Sequence, residues 1–360
     1  MTLPNTMTAV LLTGHGGFDK LDIRDDVPLP NPAADEVLIK VGGAGVNNTD
    51  INTRTAWYSK TVEEGTNTGG SGGFDAAEDD DGSWSGVPLT FPRIQGADCC
   101  GTVVAVGSDV SDSRIGERVL VRTMVDTGSN PEGLESYCTG SERDGGFAQY
   151  MTAESKHALK VECDWSDVEL ASIPCAYSTA EGMMHRANVG AETVLVTGAS
   201  GGVGSAAVQL AKRRGATVIA IAGKNKMDEV KALGADRVLA RGSDLVAELG
   251  EFSVDVVADL VAGDTWPDFL KLLRRGGRYV TSGAIAGPIV ELDVRTLYLK
   301  DLSLIGSTHQ VDEVFENLVS YIERGEIKPV VAATYPLTEI VAAQNAFLEK
   351  MHTGKIVLEP

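Results

Sequence analysis

No apolar run in the sequence approaches the roughly 20 residues that span a bilayer, so no transmembrane helix is expected. The first residues, Met1 to Val10, lack both a basic flank and an apolar core, and no secretion signal is read there. Positive charge is scarce: 31 Lys and Arg against 51 Asp and Glu leave a formal net charge of -20. Phosphate backbones and anionic membrane surfaces would repel such a chain, which argues against nucleic acid or a membrane as partner. Cysteine is sparse as well. Cys99, Cys100, Cys138, Cys163 and Cys175 form no C-x-x-C pair and no even framework, and read as free thiols in a reducing cytoplasm. Cys99 and Cys100, adjacent in a strand, would point to opposite faces, which suits packing better than redox chemistry.

With 360 residues, 43% of them hydrophobic, the chain can bury a substantial core, and two domains fit its length better than one. Residues 8 to 155 carry short β-type runs punctuated by glycine and proline, such as Glu36 to Val41, Gly101 to Val106 and Glu117 to Val121. That spacing predicts a barrel-like antiparallel domain. Then the rhythm changes. The apolar strand Thr193 to Thr197 leads into a helix candidate through Lys212, followed by strands at Thr217 to Ile221, Arg237 to Leu239, Val254 to Asp259 and Gly277 to Thr281. A helix-like stretch, Met227 to Leu233, lies among them. Such alternation predicts an α/β domain with a doubly wound parallel sheet at about 161–305. Val311 to Arg324 has helical spacing, and a closing strand, Lys355 to Leu358, could return to the first domain. The expected division is therefore 1–160, 161–305 and 306–360, with the sheet domain as an insertion. From Glu63 to Gly86 the chain is mostly Gly, Ser, Asp, Glu, Thr and Asn, with Phe74 and Trp84 embedded. That composition suits a solvated flexible loop or, alternatively, a lid over a cleft.

The run Gly198-Ala199-Ser200-Gly201-Gly202-Val203-Gly204 joins the first of these strands to its helix. Glycines let a backbone approach a pyrophosphate, and a helix N-terminus offers unpaired N–H groups and a favourable dipole. Ser200, Gly201, Gly202, Val203 and Gly204 are thus dinucleotide-binding candidates. NAD enzymes place an acid about 20 residues beyond the glycines to accept from the ribose hydroxyls. Here that stretch reads Ala220-Ile221-Ala222-Gly223-Lys224-Asn225-Lys226, with no acid and two lysines. A 2′-phosphate needs cations, so NADPH is the expected cofactor, with Lys224 first and Lys226 and Arg241 as helpers.

The turn stands in order with Gly45-Val46-Asn47-Asn48-Thr49-Asp50, Gly96-Ala97-Asp98-Cys99-Cys100-Gly101, Leu233-Gly234-Ala235-Asp236, Arg275-Gly276-Gly277-Arg278 and Gly354-Lys355-Ile356-Val357-Leu358. Taken together, these segments resemble the medium-chain dehydrogenase/reductase superfamily, and more closely its zinc-independent quinone oxidoreductase branch. The resemblance covers nearly the whole chain. It implies a Rossmann sheet inserted in a GroES-like β-barrel substrate domain, an active site in the cleft between them, and a homodimer or homotetramer through the Rossmann edge. It also implies nicotinamide contacts at Gly283, Ala284 and Ile285, with Ser307, Thr308 and Lys355 closing the far side. Zinc alcohol dehydrogenases of this superfamily take catalytic ligands at positions that read Asn47, Ala97 and Cys175 here. One thiolate cannot make the three-ligand open site of catalytic zinc. Their structural zinc lobe needs four cysteines, and only Cys138 lies between Met124 and Gly146. No metal is expected. Cys175 reads as a small buried residue beside a helix start, where Ser178 and Glu181 have capping-box spacing.

Without zinc, hydride transfer favours a conjugated acceptor, because the developing charge delocalises into an enolate. A quinone, an enone or an enoyl thioester fits. Asn47 could donate to the substrate carbonyl or the nicotinamide ribose. The run Asn47 to Tyr58 is similar to one in the 2-enoyl thioester reductases of the superfamily, which implies that Tyr58 is the proton donor. A phenol with a pKa near ~10 suits that role. Asp50 and Arg54, four apart, are spaced to pair across a helical turn, and Arg54 could instead face an anionic substrate. Two rivals stay open: a zinc alcohol dehydrogenase with atypical ligands such as Asp98 and Cys175, and a non-catalytic NADPH-binding structural or redox-sensing protein.

Overall fold

The computed structural model describes residues 3–77, 81–127 and 135–360. Among them, six parallel strands form a sheet in the order Arg237–Ala240, Thr217–Ala222, Thr193–Val196, Val254–Asp259, Leu273–Thr281 and Ser303–Gly306. The first strand in sequence lies in the middle, and later strands extend to either side of it. Open sheets bind ligands at this switch point, beyond the carboxyl ends of the strands. Val194, Leu195 and Val196 are fully buried, since helices cover both faces of the sheet. On one face Val194 and Val196 share a core with the helices Pro174–Arg186, Gly202–Arg213 and Asp312–Glu323. On the other, Leu195 and Val257 meet Trp266, Phe269 and Tyr279. No helix among the described residues is long and apolar enough to cross a membrane.

The barrel is organised on the long strand Glu36–Gly45. It pairs antiparallel with Cys100–Val106, Tyr150–Glu154 and Lys355–Glu359. The closing strand of the chain therefore joins the barrel, with Val331–Pro336 parallel to it on the outside. Val37, Ile39, Phe147, Met151, Ile356 and Leu358 fill its interior. Cys99 and Cys100 do face apart: Cys99 packs in the barrel core, Cys100 in the core that runs under the parallel sheet.

Two local expectations fail. The helix Pro174–Arg186 starts at its proline, so Ser178 and Glu181 lie inside it and cap nothing. Proline supplies the first-turn geometry without needing an N–H partner, while Glu181 forms an ion pair with Arg214 at 2.5 Å. Asp50 and Arg54 do not pair either. The Asp50 carboxylate accepts from Asn47 N and Ala97 N, and the fully buried Arg54 guanidinium donates to Gly16 O, Gly70 O and Gln344 Oε1. Arg54 is thus a core staple rather than a group facing substrate.

Glu63 to Gly86 also differs from a detached solvated loop; residues 78–80 within it lie outside the described ones. Thr66 and Ser83 are buried, and Thr66 N donates to Ile285 O at 3.2 Å. Some of its polar side chains serve backbone groups, Asp81 accepting from Lys60 N and Ser83 from Val87 N, while Glu63, Glu64, Asn67 and Thr68 face water. The segment is a strap that leaves the barrel, touches the carboxyl edge of the parallel sheet and returns.

Candidate active site

The glycine turn is built by close approach. Gly198 has φ +57°, and a Cβ on Gly204 would come within 2.1 Å of Gly198 O, so the helix can begin this near the strand only with glycine. A Cβ on Gly202 would come within 2.7 Å of the Lys355 stem. Gly354 N donates to Ser200 O at 2.9 Å, which fastens the last turn of the chain to the glycine turn. Ser200 and Gly204 are buried, whereas Gly201 is exposed at the start of the 12-residue helix Gly202–Arg213. Its first N–H groups face the switch point, where a dinucleotide pyrophosphate would fit.

Cations gather around this turn. Lys224 and Arg241 are exposed just beyond the ends of the strands Thr217–Ala222 and Arg237–Ala240, and Arg241 N donates to Ala222 O. Lys226 is buried, its ammonium donating to Lys350 O at 2.8 Å and His352 O at 3.3 Å. Burial lowers its pKa, with Arg241 adding to the effect. The Lys350 ammonium lies over the Phe347 ring and 3.2 Å from Asn48 Oδ1; burial and nearby Lys226 push it down to about 7. Burial, Lys350 and Lys226 push His352 down to about 4. No ion pair to Lys224, Lys226, Arg241 or Lys350 occurs among the described residues. A group of cations that forms no ion pair among the described residues, in a chain of net charge -20, has the character of an anion site. Lys350 escapes sequence reading because it follows the helix Ile340–Glu349, 126 residues after Lys224 in the chain. The five residues up to Lys355 were its one signal.

At the base of the cleft lies a buried network. Lys355 Nζ donates to Asp98 Oδ2 at 2.8 Å, Asn47 Oδ1 at 2.5 Å and Val46 O at 2.9 Å. Asn47 Nδ2 donates to Asp98 Oδ2 and Gly45 O, and Asp98 Oδ1 accepts from Cys175 N at 2.6 Å. Both amide protons of Asn47 are therefore held inside the protein, which corrects the expectation that it donates to a substrate or a ribose. Lys355, only 2% exposed, is a buried link between the barrel and the glycine turn. Asp98 is equally occupied, so it is poorly placed as an atypical metal ligand. Beneath the network, burial pushes Asp50 up to about 7, against the opposing hydrogen bond from Asn47 N and the charge of Lys355.

Beside this network a small cluster brings together Ala97, Met124, Cys138 and Cys175, with Trp84 of the strap packed against it. The three positions that correspond to catalytic metal ligands thus hold a bonded amide, a methyl group and a thiol whose pKa burial raises. Three free donors of the kind catalytic zinc takes are not present there. Tyr58 Oη donates to Thr49 Oγ1 at 3.0 Å and lies within electrostatic reach of the Cys138 and Cys175 thiols. Burial raises the phenol pKa. Trp57 meets Tyr58 edge to face and donates from Nε1 to Glu64 O, so it braces the strap.

On the other wall, Gly283 O accepts from Thr281 Oγ1, Ala284 O from Gly287 N and Ile285 O from Thr66 N. Ser307 is buried, with its N–H bonded to Thr281 O. His309 lies 3.2 Å from Ser136 Oγ through Nδ1. Sequence reasoning missed Asp259, whose buried carboxylate accepts from Thr197, Tyr279, Val261 and Ala262 and ties three strand ends together at the cleft.

Residues 33–163 match the family model of the alcohol dehydrogenase GroES-like domain, and residues 202–324 that of the zinc-binding dehydrogenases. An acryloyl-coenzyme A reductase of Metallosphaera sedula is 30% identical over 98% of this chain and 99% of its own. The human quinone oxidoreductase is 29% identical over 98% of this chain and 97% of its own. A solved structure from Sinorhizobium meliloti, provisionally named an alcohol dehydrogenase, is 47% identical, with a TM-score of 0.88 over 99% of this chain and 98% of that one.

Proposed function

The chain belongs to the medium-chain dehydrogenase/reductase superfamily of nicotinamide-dependent oxidoreductases, and on that premise we propose that it is an NADPH-dependent, zinc-independent reductase of conjugated carbonyls. The observation that carries this reading is the placement of the Tyr58 phenol beside the Cys138 and Cys175 thiols, in the cluster that also holds Ala97 and stands where a metal-dependent relative would hold its ion. The names of the acryloyl-coenzyme A reductase and quinone oxidoreductase relatives support an acceptor in which a carbonyl is conjugated to a double bond.

The cation group supports NADPH as cofactor. Val203 and its neighbours would meet the pyrophosphate with helix N–H groups, Lys350 would add a positive charge there, and Lys224 and Arg241 would take the 2′-phosphate. Gly283, Ala284 and Ile285 line the end where the nicotinamide would lie. When bound there, the nicotinamide would supply a hydride, for which the β-carbon of the acceptor is the receiving atom. Tyr58 holds a proton at Oη, and burial keeps it protonated at neutral pH. Its donation neutralises the enolate, so one hydride and one proton together reduce the double bond. Asn47 acts as a positioning residue, fixing Lys355 and Asp98 beneath the cofactor. Assembly through the sheet edge fits the same reading: Ser303–Gly306 is an edge strand, and Leu304, Val294, Tyr298 and Leu299 beside it are exposed. Such an apolar edge suits pairing with a second copy.

The test is NADPH oxidation against quinones, enones and enoyl thioesters, with metal analysis of the purified protein. Turnover on at least one class without stoichiometric zinc is expected. One zinc per chain would overturn the metal-free reading, and NADPH binding with no oxidation across the panel would favour a non-catalytic role.

A further inference from the structure

Where the strap touches the carboxyl edge of the parallel sheet, it docks on the loop that follows the strand Leu273–Thr281. Thr66 N donates to Ile285 O at 3.2 Å. The approach is close on both sides of that bond. A Cβ on Gly65 would come within 2.7 Å of Ile285 O, and one on Gly287 within 3.6 Å of Glu63 O. From the barrel side, Trp57 Nε1 donates to Glu64 O at 2.8 Å, so the strap reaches the loop already braced. Thr66 is only 3% exposed, and its hydroxyl oxygen is buried without a hydrogen-bond partner. A buried hydroxyl in that state is unfavourable, and it keeps its lone pairs and its proton available.

The loop itself has little left to offer a polar ligand. Its carbonyl groups at Gly283, Ala284 and Ile285 each accept a hydrogen bond already, and Ile285 N and Ala286 N donate to Leu260 O and Val261 O. Gly283 N donates to Thr281 Oγ1, and Gly287 N to Ala284 O. No partner for Ala284 N occurs among the described residues. We propose that Thr66 is a cofactor-binding residue, its Oγ1 accepting from the carboxamide NH2 of a nicotinamide whose carboxamide oxygen takes the N–H of Ala284. The proposal rests on the nicotinamide lying along Gly283 to Ile285, as in the reading above, and adds a residue of the strap to that site. A carboxamide brings one acceptor and one donor together, and the free N–H and the free hydroxyl match them one for one. The strap thereby acquires a role: a bound nicotinamide links the barrel to the parallel sheet through Thr66.

Calorimetric titration of the whole protein tests this with NADPH and its 3-acetylpyridine analogue, in which a methyl group replaces the amide nitrogen. NADH and its analogue serve if NADH binds the tighter. Thr66→Val removes the hydroxyl at nearly constant shape. It is expected to weaken the parent nucleotide by about tenfold and the analogue by less than about twofold. Thr66→Ser should keep the wild-type ratio between the two within about threefold. A second readout needs no ligand: Thr66→Val should melt no lower than wild type, because the hydroxyl has no partner to lose. An equal loss for both ligands, an unmoved affinity for the parent nucleotide, or a lowered Tm in Thr66→Val would each overturn the proposal. So would equal binding of the two ligands by wild type, a measurement that needs no variant. If the expected differences appear but no acceptor is reduced, the reductase reading fails while the assignment of Thr66 stands.

Discussion

Lys355 and Asp98, 257 positions apart, form an ion pair of 2.8 Å at the junction of the barrel and the glycine turn, with side chains 3% and 0% exposed. The ammonium also holds Asn47, and the stem packs on Gly202. A buried charge whose partner is removed is left uncompensated, at a cost of about 3–5 kcal/mol. Lys355→Met should lose about that much in urea unfolding, and the double variant with Asp98→Asn should recover part of it. A loss in the double variant equal to the sum of the two single-variant losses would mean that the pair is not coupled.

Tyr58→Phe removes the proposed proton while keeping the ring that meets Trp57. Steady-state kinetics should show kcat lower by about a hundredfold, the scale of general-acid catalysis. Binding of NADPH, measured by fluorescence titration, should not change. Unaltered turnover on every active enone would remove Tyr58 from the mechanism.

Lys224 and Arg241 stand exposed where the adenosine end of the cofactor is proposed to lie. Replacing both by alanine should weaken NADPH by about tenfold and leave NADH within about twofold, since only the former carries the extra phosphate. The difference should shrink at high salt, as screening of exposed charges requires. Similar wild-type affinities for the two nucleotides would contradict NADPH specificity.

With Lys350 placed beside the pyrophosphate as proposed, cofactor binding should depend on pH. Its folded pKa, about 7, is depressed below the ordinary lysine value of 10.5. A depressed group contributes relative stability at high pH, above its unfolded pKa, and loses it as pH falls through 7. A bound phosphate has the opposite preference, for the charged ammonium. NADPH affinity should therefore fall by roughly tenfold from pH 7 to 8.5, with proton uptake on binding seen by calorimetry in buffers of different ionisation heat. Lys350→Met should flatten that profile and bind more weakly at pH 6.5. A flat wild-type profile would place Lys350 away from the phosphates.

The parallel sheet was readable because its signals are local. Apolar runs such as Val194 to Val196 must be buried on both faces, and the glycines that follow permit a turn that other residues cannot make. The same locality made the acid-free stretch Gly223 to Lys226 and the absent ligands at Asn47 and Ala97 visible without coordinates. The strap was not readable, because a polar, glycine-rich composition is equally suited to solvent and to satisfying buried backbone groups.

What the sequence determined, then, is the order of strands and helices, the dinucleotide turn and the residue types at the metal-ligand positions, all properties of neighbours along the chain. What only tertiary structure decided is which partners those residues take. Asn47 was free to donate until folding set Asp98 and Lys355 beside it, and Asp50 and Arg54, spaced to pair, each found other partners. Lys350, Tyr58 and Trp84 acquired their surroundings in the same way. Hydrogen bonds and burial act over a few ångströms of space, and the contacts that matter here join positions tens to hundreds of residues apart.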